Sequence, residues 1–306
     1  MDRQTLIDTF QGLTVWSRNG QRAPHKPLLV LLALGYLQRE GRRELPFTEI
    51  EQPLKTLLSD FGPPRRTLKP QYPFYYLQFD GVWEFAINTP LELPLNPSDP
   101  SAPVMREWGV TAGFTEAVFQ TLQRDPEAVR AVANRLLAAH FPPTYHEDIL
   151  QAVGLDLELG EGAGSATRVR DPQFRHEVLT AYGYRCAVCG LKIEMQDKTV
   201  AIEAAHIKWH QAGGPDHTAN GLALCTLHHK LFDVGAFTLS AQLQVSVSSM
   251  AHGNDGFQRW LLDFNGTSIT QPAMADWEPE RDFLDWHVRE VFKGQGRYAL
   301  DLEAPE

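Results

Sequence analysis

A chain of 306 residues with 43% hydrophobic content holds enough apolar material for two soluble domains of about 100–200 residues each. No apolar run approaches the roughly 18 residues that a membrane-spanning helix needs. The formal charge of -10 excludes a uniformly basic surface, so any contact with a polyanion must be local. Three cysteines are an odd count, and the chain start MDRQTLIDTF has no apolar signal-peptide core. Both features argue against a disulfide framework and for a reducing cytoplasm.

Between Trp16 and Asp80 ten basic residues face six acidic ones, a local positive surplus in an acidic chain. Pro27 opens a helix over 28–39 whose dense leucines imply burial, and Gly41 stops it. Further helices are expected over 49–59 and 126–139. Residues 75–79 and 82–86 flank Asp80-Gly81, a hairpin signal, and strand alternation would turn Phe74 and Tyr76 inward. The acidic, glycine-rich stretch around 155–165 has little to bury and reads as a flexible linker. It divides the chain into a first domain over 1–154, a linker over 155–168 and a second domain over 169–306.

The second domain opens with a helix over 172–182. A β-rich segment, 199–205, ends at His206. A polar loop with Gly213, Gly214, Pro215 and Asp216 follows, then Asn220 and an apolar strand over 221–224. Thr226 is placed to cap a helix carrying His228, His229 and Phe232. A strand around 237–247 and a C-terminal helix with Trp286 and Val291 complete the chain, with Trp260, Trp277 and Trp286 expected to pack on the segment before them. Residues after 251 are rich in acid, so the phosphate-facing end is expected in the first domain.

Cys186 and Cys189 form a C-x-x-C pair, and Cys225 with His228 a C-x-x-H pair. These spacings let two short turns clamp one tetrahedral zinc. Four protein ligands close such a site, so the zinc would hold the fold and do no chemistry.

The order strand, loop, strand, helix, with His206, Asn220 and His229, resembles the HNH endonuclease motif on a ββα-metal finger. The flanking C-x-x pairs resemble its zinc-stabilised, McrA-type subgroup. The resemblance implies phosphodiester hydrolysis with a catalytic Mg2+, Mn2+ or similar divalent ion. Hydrolysis needs a base for the attacking water and a cation for charge building on the phosphate. His206 is the candidate base, since neutral imidazole suits that task near pH 7. His229 would hold the catalytic ion, as the family's second His does. Asn220 would fix the intervening loop or contribute a ligand. Adjacent helix residues diverge by about 100°, so His228 can face zinc while His229 faces the active site. Many HNH proteins carry an acidic residue just before the first His, where this chain has Ala205. Glu203 is a secondary metal candidate, since alternation puts it on the face opposite residue 206 unless the strand bends. His210 and His217 read as solvated loop residues, and Asp233 as a cap for the following strand rather than a partner of the site.

The segments APHKPLLVLLAL (residues 23–34) and GPPRRTLKPQYPFYYLQFDGVWEF (62–85) resemble the sulfur-binding domain of phosphorothioate-dependent type IV restriction enzymes. That family builds its sulfur pocket from a Tyr-Pro pair in a loop and a basic pair at a helix start, which implies roles for Tyr72, Pro73, His25 and Lys26. Sulfur makes one edge of the phosphate larger, more polarisable and a poorer acceptor, so apolar walls beside basic groups suit it. Arg22, Arg65, Arg66 and Lys69 are candidates for other backbone or base contacts. The whole reads as an α+β protein: a mixed α/β sulfur-binding-like domain, then a ββα-metal finger with structural zinc. Its expected partner is double-stranded DNA carrying phosphorothioate, and cutting two strands suggests a homodimer. Two alternatives stay open: an HNH endonuclease that reads methylated or hydroxymethylated cytosine, and a non-catalytic zinc-containing DNA-binding protein.

Overall fold

The computed structural model describes residues 1–15, 21, 23–86, 96, 98–157, 172–196 and 198–298. The chain divides into two compact units, Met1–Ala166 and Thr167–Glu306. No described helix is long and apolar enough to cross a membrane.

The first unit wraps helices around a small sheet. Its helices are α1 (Arg3–Gln11), α2 (His25–Glu40), α3 (Phe47–Phe61), α4 (Gln71–Tyr76), α5 (Ala102–Glu107), α6 (Glu116–Arg124), α7 (Pro126–His140) and α8 (Pro143–Val153). Strands β1 (Glu44–Pro46), β2 (Trp83–Phe85) and β3 (Thr111–Phe114) form an antiparallel sheet with β3 in the centre. Every residue of α2 from Pro27 to Gly35 is buried, as a helix apolar on all sides must be. It packs against α3, α4, α7 and α8. Phe74, from α4, bridges α3 and the sheet through edge contacts with Phe47 and Trp83.

The hairpin expected at Asp80-Gly81 does not form. Residues 71–76 are helical and continue through a 3-10 turn, Leu77–Asp80, which Gly81 ends with φ at 74°. The left-handed glycine that suits a hairpin turn equally suits a helix stop, and the tertiary contacts of Phe74 decide between them. Helical rather than alternating geometry then buries Phe74 and Tyr75, leaving Tyr76 half-buried. Residues 155–157, expected to open the linker, are instead held by the first unit. Leu155 is buried, Asp156 exchanges hydrogen bonds with the Gln38 amide, and Arg130 donates to the Leu157 carbonyl. The rest of that stretch, from 158, lies outside the described residues.

The second unit begins with α9 (Pro172–Ala181). A short hairpin, β4 (Ile193–Met195) with β5 (Lys198–Val200), follows the first cysteine pair. The expected single strand over 199–205 is broken at Ala201, whose φ is 60°. The chain resumes as β6 (Ile202–His206), antiparallel to β7 (Gly221–Cys225) with His206 opposite Gly221. Helix α10 (Thr226–Asp233) starts from Cys225 as N-cap, so Thr226 is its first residue and not the cap expected of it. The segment 237–247 is a hairpin, β8 (Phe237–Leu239) with β9 (Val245–Val247), rather than one strand. α11 (Asp255–Trp260) and α12 (Arg281–Glu290) complete the fold.

α12 lies on β8, and its buried His287 stacks on Phe232 of α10 with ring centroids 3.7 Å apart. Of the three tryptophans expected to pack here, Trp286 is buried against Trp209 and Trp277 is partly buried. Trp260 instead leaves its ring in solvent.

Candidate functional site

The first centre is the cysteine cluster. The turn at Cys186 closes through a hydrogen bond from the Gly190 N–H to the Cys186 carbonyl, and the Ala187 N–H ties it to β7 at Ala223. Across from it, Cys225 ends β7 and His228 lies in the first turn of α10. The ligand atoms of Cys186, Cys189, Cys225 and His228 all lie within 4.8 Å of one another. Bond lengths of about 2.3 Å to sulfur and 2.0 Å to nitrogen around a tetrahedral zinc require ligands about 3.5–3.8 Å apart. Here the Cys189 and Cys225 sulfurs are 4.0 Å apart, and Cys186 Sγ is 3.6 Å from His228 Nδ1. The donor set fits zinc. The far nitrogen of His228 donates to the Trp260 carbonyl at 2.9 Å, which leaves Nδ1 as the ligating nitrogen. Trp260 therefore serves through its backbone.

The second centre straddles β6. Alternation puts residues 203 and 205 on one face of the strand and 204 and 206 on the other. On the first face α10 brings His229 Nδ1 to 2.5 Å from Glu203 Oε2. One helical turn on, Asp233 Oδ2 lies 3.3 Å from His229 Nε2. Asp233 is 2% exposed on its side chain and Glu203 38%, so the ring stands between a buried carboxylate and an accessible one. On the second face Phe174 of α9 stacks on His206, with centroids 4.1 Å apart and planes at 15°. His206 Nε2 lies 2.7 Å from Asp216 Oδ1.

Asn220 is fully buried, and its amide is spent on the loop between the strands. Its Oδ1 accepts from the Lys208 N–H at 2.8 Å, and Nδ2 donates to the carbonyls of Lys208 at 3.0 Å and Pro215 at 2.9 Å. Of the two roles open to Asn220, the geometry supports the loop clasp. The clasp requires a glycine at 214, where a Cβ would sit 1.8 Å from the Lys208 carbonyl oxygen and 2.8 Å from Asn220 Nδ2.

In the first unit, His25 and Lys26 open α2 and Tyr72 and Pro73 sit in α4, two helices in contact. Lys26 is turned inward: its Nζ pairs with Asp80 at 2.5 Å, with side chains 13% and 3% exposed. Pro73 is buried. Tyr72 donates to Asp99 at 2.5 Å and accepts from Lys69 at 2.8 Å. That last hydrogen bond raises the pKa of Lys69, whose ammonium also lies 4.5 Å from the Tyr72 ring centroid. Arg65, Arg66 and Lys69 are exposed in the loop before α4. Arg22 lies outside the described residues. Three other cations of this unit are used internally: Arg42 pairs with Glu49, Arg43 with Glu84 and Glu116, and Arg39 donates to the carbonyls of Val153 and Gly154.

Residues 3–158, just over half of the chain, match the family model described as ScoMcrA-like, DNA sulfur-binding domain. The chain belongs to that family. Residues 186–240 match the HNH endonuclease model, so a DNA sulfur-binding domain is joined to an HNH domain. No curated protein matches. Among solved structures, the sulfur-binding domain of ScoMcrA complexed with phosphorothioated DNA is 23% identical, with a TM-score of 0.42, covering 49% of this chain and 94% of that one. The corresponding domain of SprMcrA, also with phosphorothioated DNA, is 19% identical at a TM-score of 0.42, covering 52% and 98%. The type IV phosphorothioation-dependent restriction endonuclease ScoMcrA is 21% identical at a TM-score of 0.41, covering 48% and 32%.

Within the HNH domain, Asp233, expected to cap the following strand, lies 3.3 Å from the His229 ring. It sits four residues after His229 on one helix, the spacing that stacks side chains on a common face, and it is buried against that ring. Asp216 was not singled out as a site residue. The signal was a Gly-Gly-Pro-Asp turn shortly before Asn220, but only the folded loop carries its carboxylate back to the end of β6. His210 and His217 are exposed, as expected, although His217 Nδ1 accepts from the Ala219 N–H at 3.3 Å.

Proposed function

We propose that this protein is a restriction endonuclease that binds phosphorothioate-modified duplex DNA through its first domain and hydrolyses phosphodiester bonds near the modification through its second. The observation that carries the reading is the presence in one chain of a sulfur-binding family domain and an HNH domain.

His206 is the general base. The proton of the attacking water passes to its imidazole as the water oxygen bonds to phosphorus and the P–O3′ bond breaks, and the leaving oxygen takes a proton from solvent. Glu203 and His229 Nδ1 would hold the catalytic divalent ion, an oxygen and imidazole pair that suits Mg2+ or Mn2+. When bound, that ion neutralises charge developing on the phosphate and the leaving oxygen. Asp233 would accept the proton on His229 Nε2 and hold the ring in the ligating orientation. Glu203 shares its strand face with Ala205, so it would supply from two residues upstream the carboxylate that Ala205 lacks. Asn220 would hold the loop. Cys186, Cys189, Cys225 and His228 would hold a structural zinc.

In the first domain His25, Tyr72 and Pro73 are assigned to the sulfur pocket, with Lys26 buttressing it through Asp80. Arg65, Arg66 and Lys69, with Arg22, would meet the DNA backbone or base edges. One HNH site per chain and two strands to cut favour a homodimer on the DNA.

The test incubates the full chain with matched plasmids, modified and unmodified, in Mn2+ or Mg2+. Selective cleavage of the modified plasmid is expected. Equal cleavage of both removes the sulfur recognition, and no cleavage of either removes the nuclease.

A further inference from the structure

We infer that Asp216 is the positioning residue of His206, and that Asn220 acts through it. The inference rests on His206 being the base.

Four observations converge on this carboxylate. It lies 2.7 Å from His206 Nε2, inside hydrogen-bond range for a charge-assisted contact. It is brought there from ten residues away by a loop that doubles back on itself: Gly213 adopts φ 77°, and the Gly214 N–H donates to the Trp209 carbonyl at 3.0 Å. The Asn220 amide then binds the carbonyl of Pro215, the residue directly before Asp216, together with both backbone groups of Lys208, two residues after His206. One side chain thus fastens the two backbone segments that carry the imidazole and its carboxylate. Finally, Phe174 lies flat against the ring, so the imidazole is fixed in its plane as well as along its edge.

The chemistry follows from the nitrogen involved. A carboxylate accepts and does not donate, so Nε2 carries the proton and Nδ1 is the basic nitrogen. When Nδ1 takes the proton of the attacking water, the ring becomes an imidazolium with an anion already at its far edge, and no group has to reorganise. The asparagine of this HNH set needs no contact with metal or substrate to matter, because it holds the partner of the base in register.

The full chain, labelled with 15N-histidine, reports the tautomer directly, with the His206 signal assigned by its loss in His206→Ala. Nε2 protonated and Nδ1 bare is the expected state in the wild type. In Asp216→Asn the proton is no longer confined to Nε2, and kcat on phosphorothioate DNA falls by about 100-fold, the lower range for a general base, with DNA affinity and zinc content unchanged. A wild-type ring protonated on Nδ1, or an Asp216→Asn protein that turns over at the wild-type rate, overturns the inference. The tautomer measurement needs no turnover: a chain that cut no DNA yet kept its proton on Nε2 would retire the nuclease reading and leave the Asp216 contact standing.

Discussion

The imidazole of His229 is bracketed by two carboxylates of unequal exposure, Glu203 on Nδ1 and the buried Asp233 on Nε2. Burial of a carboxylate costs several kcal/mol unless it is paired and hydrogen-bonded, so Asp233 is held where it is by that ring. Asp233→Asn keeps the shape and removes the anion. Partners of a metal-bound histidine typically contribute about 10–100-fold to metal affinity or activity. We expect the Mn2+ concentration needed for half-maximal cleavage to rise within that range, and an unchanged Mn2+ titration would refute the role given to Asp233. Gly214→Ala tests the neighbouring clasp. The added Cβ meets backbone oxygen at 1.8 Å, and overpacking of this kind costs about 1–3 kcal/mol. Thermal unfolding of the second domain should report that loss.

Among the elements, the C-terminal turn of α7 couples stability to pH. Burial lowers the pKa of His140 from 6.5 to about 4, although a helix C-terminus favours the protonated ring by about 0.3–1 kcal/mol. Desolvation wins. The unfolded chain therefore takes up the proton first as pH falls, so the contribution of this residue is complete above the unfolded value of 6.5 and is lost as pH drops towards 4. Urea midpoints measured between neutral pH and about pH 5 should fall for the wild type and fall less for His140→Gln. How far each element was legible follows from what its signal depends on. The clustering of Cys186, Cys189, Cys225 and His228 is legible because C-x-x-C and C-x-x-H spacing is local, and α2 is legible because its leucines admit only burial. Residues 75–79 fit a strand by sequence yet fold as a helix and 3-10 turn, because aromatics suit both states and the contacts of Phe74 with Phe47 and Trp83 come from distant segments. Asp216 and Asp233 needed the fold, one for a loop closure and one for the direction of a helix face.

At the scale of the molecule, charge is partitioned rather than balanced. The chain carries -10 overall, and Lys26, Arg42 and Arg43 are tied to carboxylates of their own unit, whereas Arg65, Arg66 and Lys69 are exposed together in one loop, Lys69 with Asp99 3.9 Å away. Replacing any one of these three by Ala should flatten the slope of log affinity against log salt by about 0.9 if it neutralises one phosphate. An unaltered slope would take that residue off the DNA. The zinc proposed for the cysteine cluster would tie stability to one unit: a strong chelator should lower the unfolding transition of the second unit while leaving that of the first in place, because the four candidate ligands all belong to the second. A single transition that moved as a whole would contradict this.

Helix α10 is only eight residues long, yet it presents His228 to the sulfurs and His229 to the carboxylates. Inserting or deleting one residue between Cys225 and Asp233 would rotate everything beyond it by about 100°, uncoupling both centres at once. Length variation should therefore be confined to places such as the β4–β5 hairpin, while the span from 225 to 233 should accept side-chain changes only away from Cys225, His228, His229, Phe232 and Asp233, and none of frame.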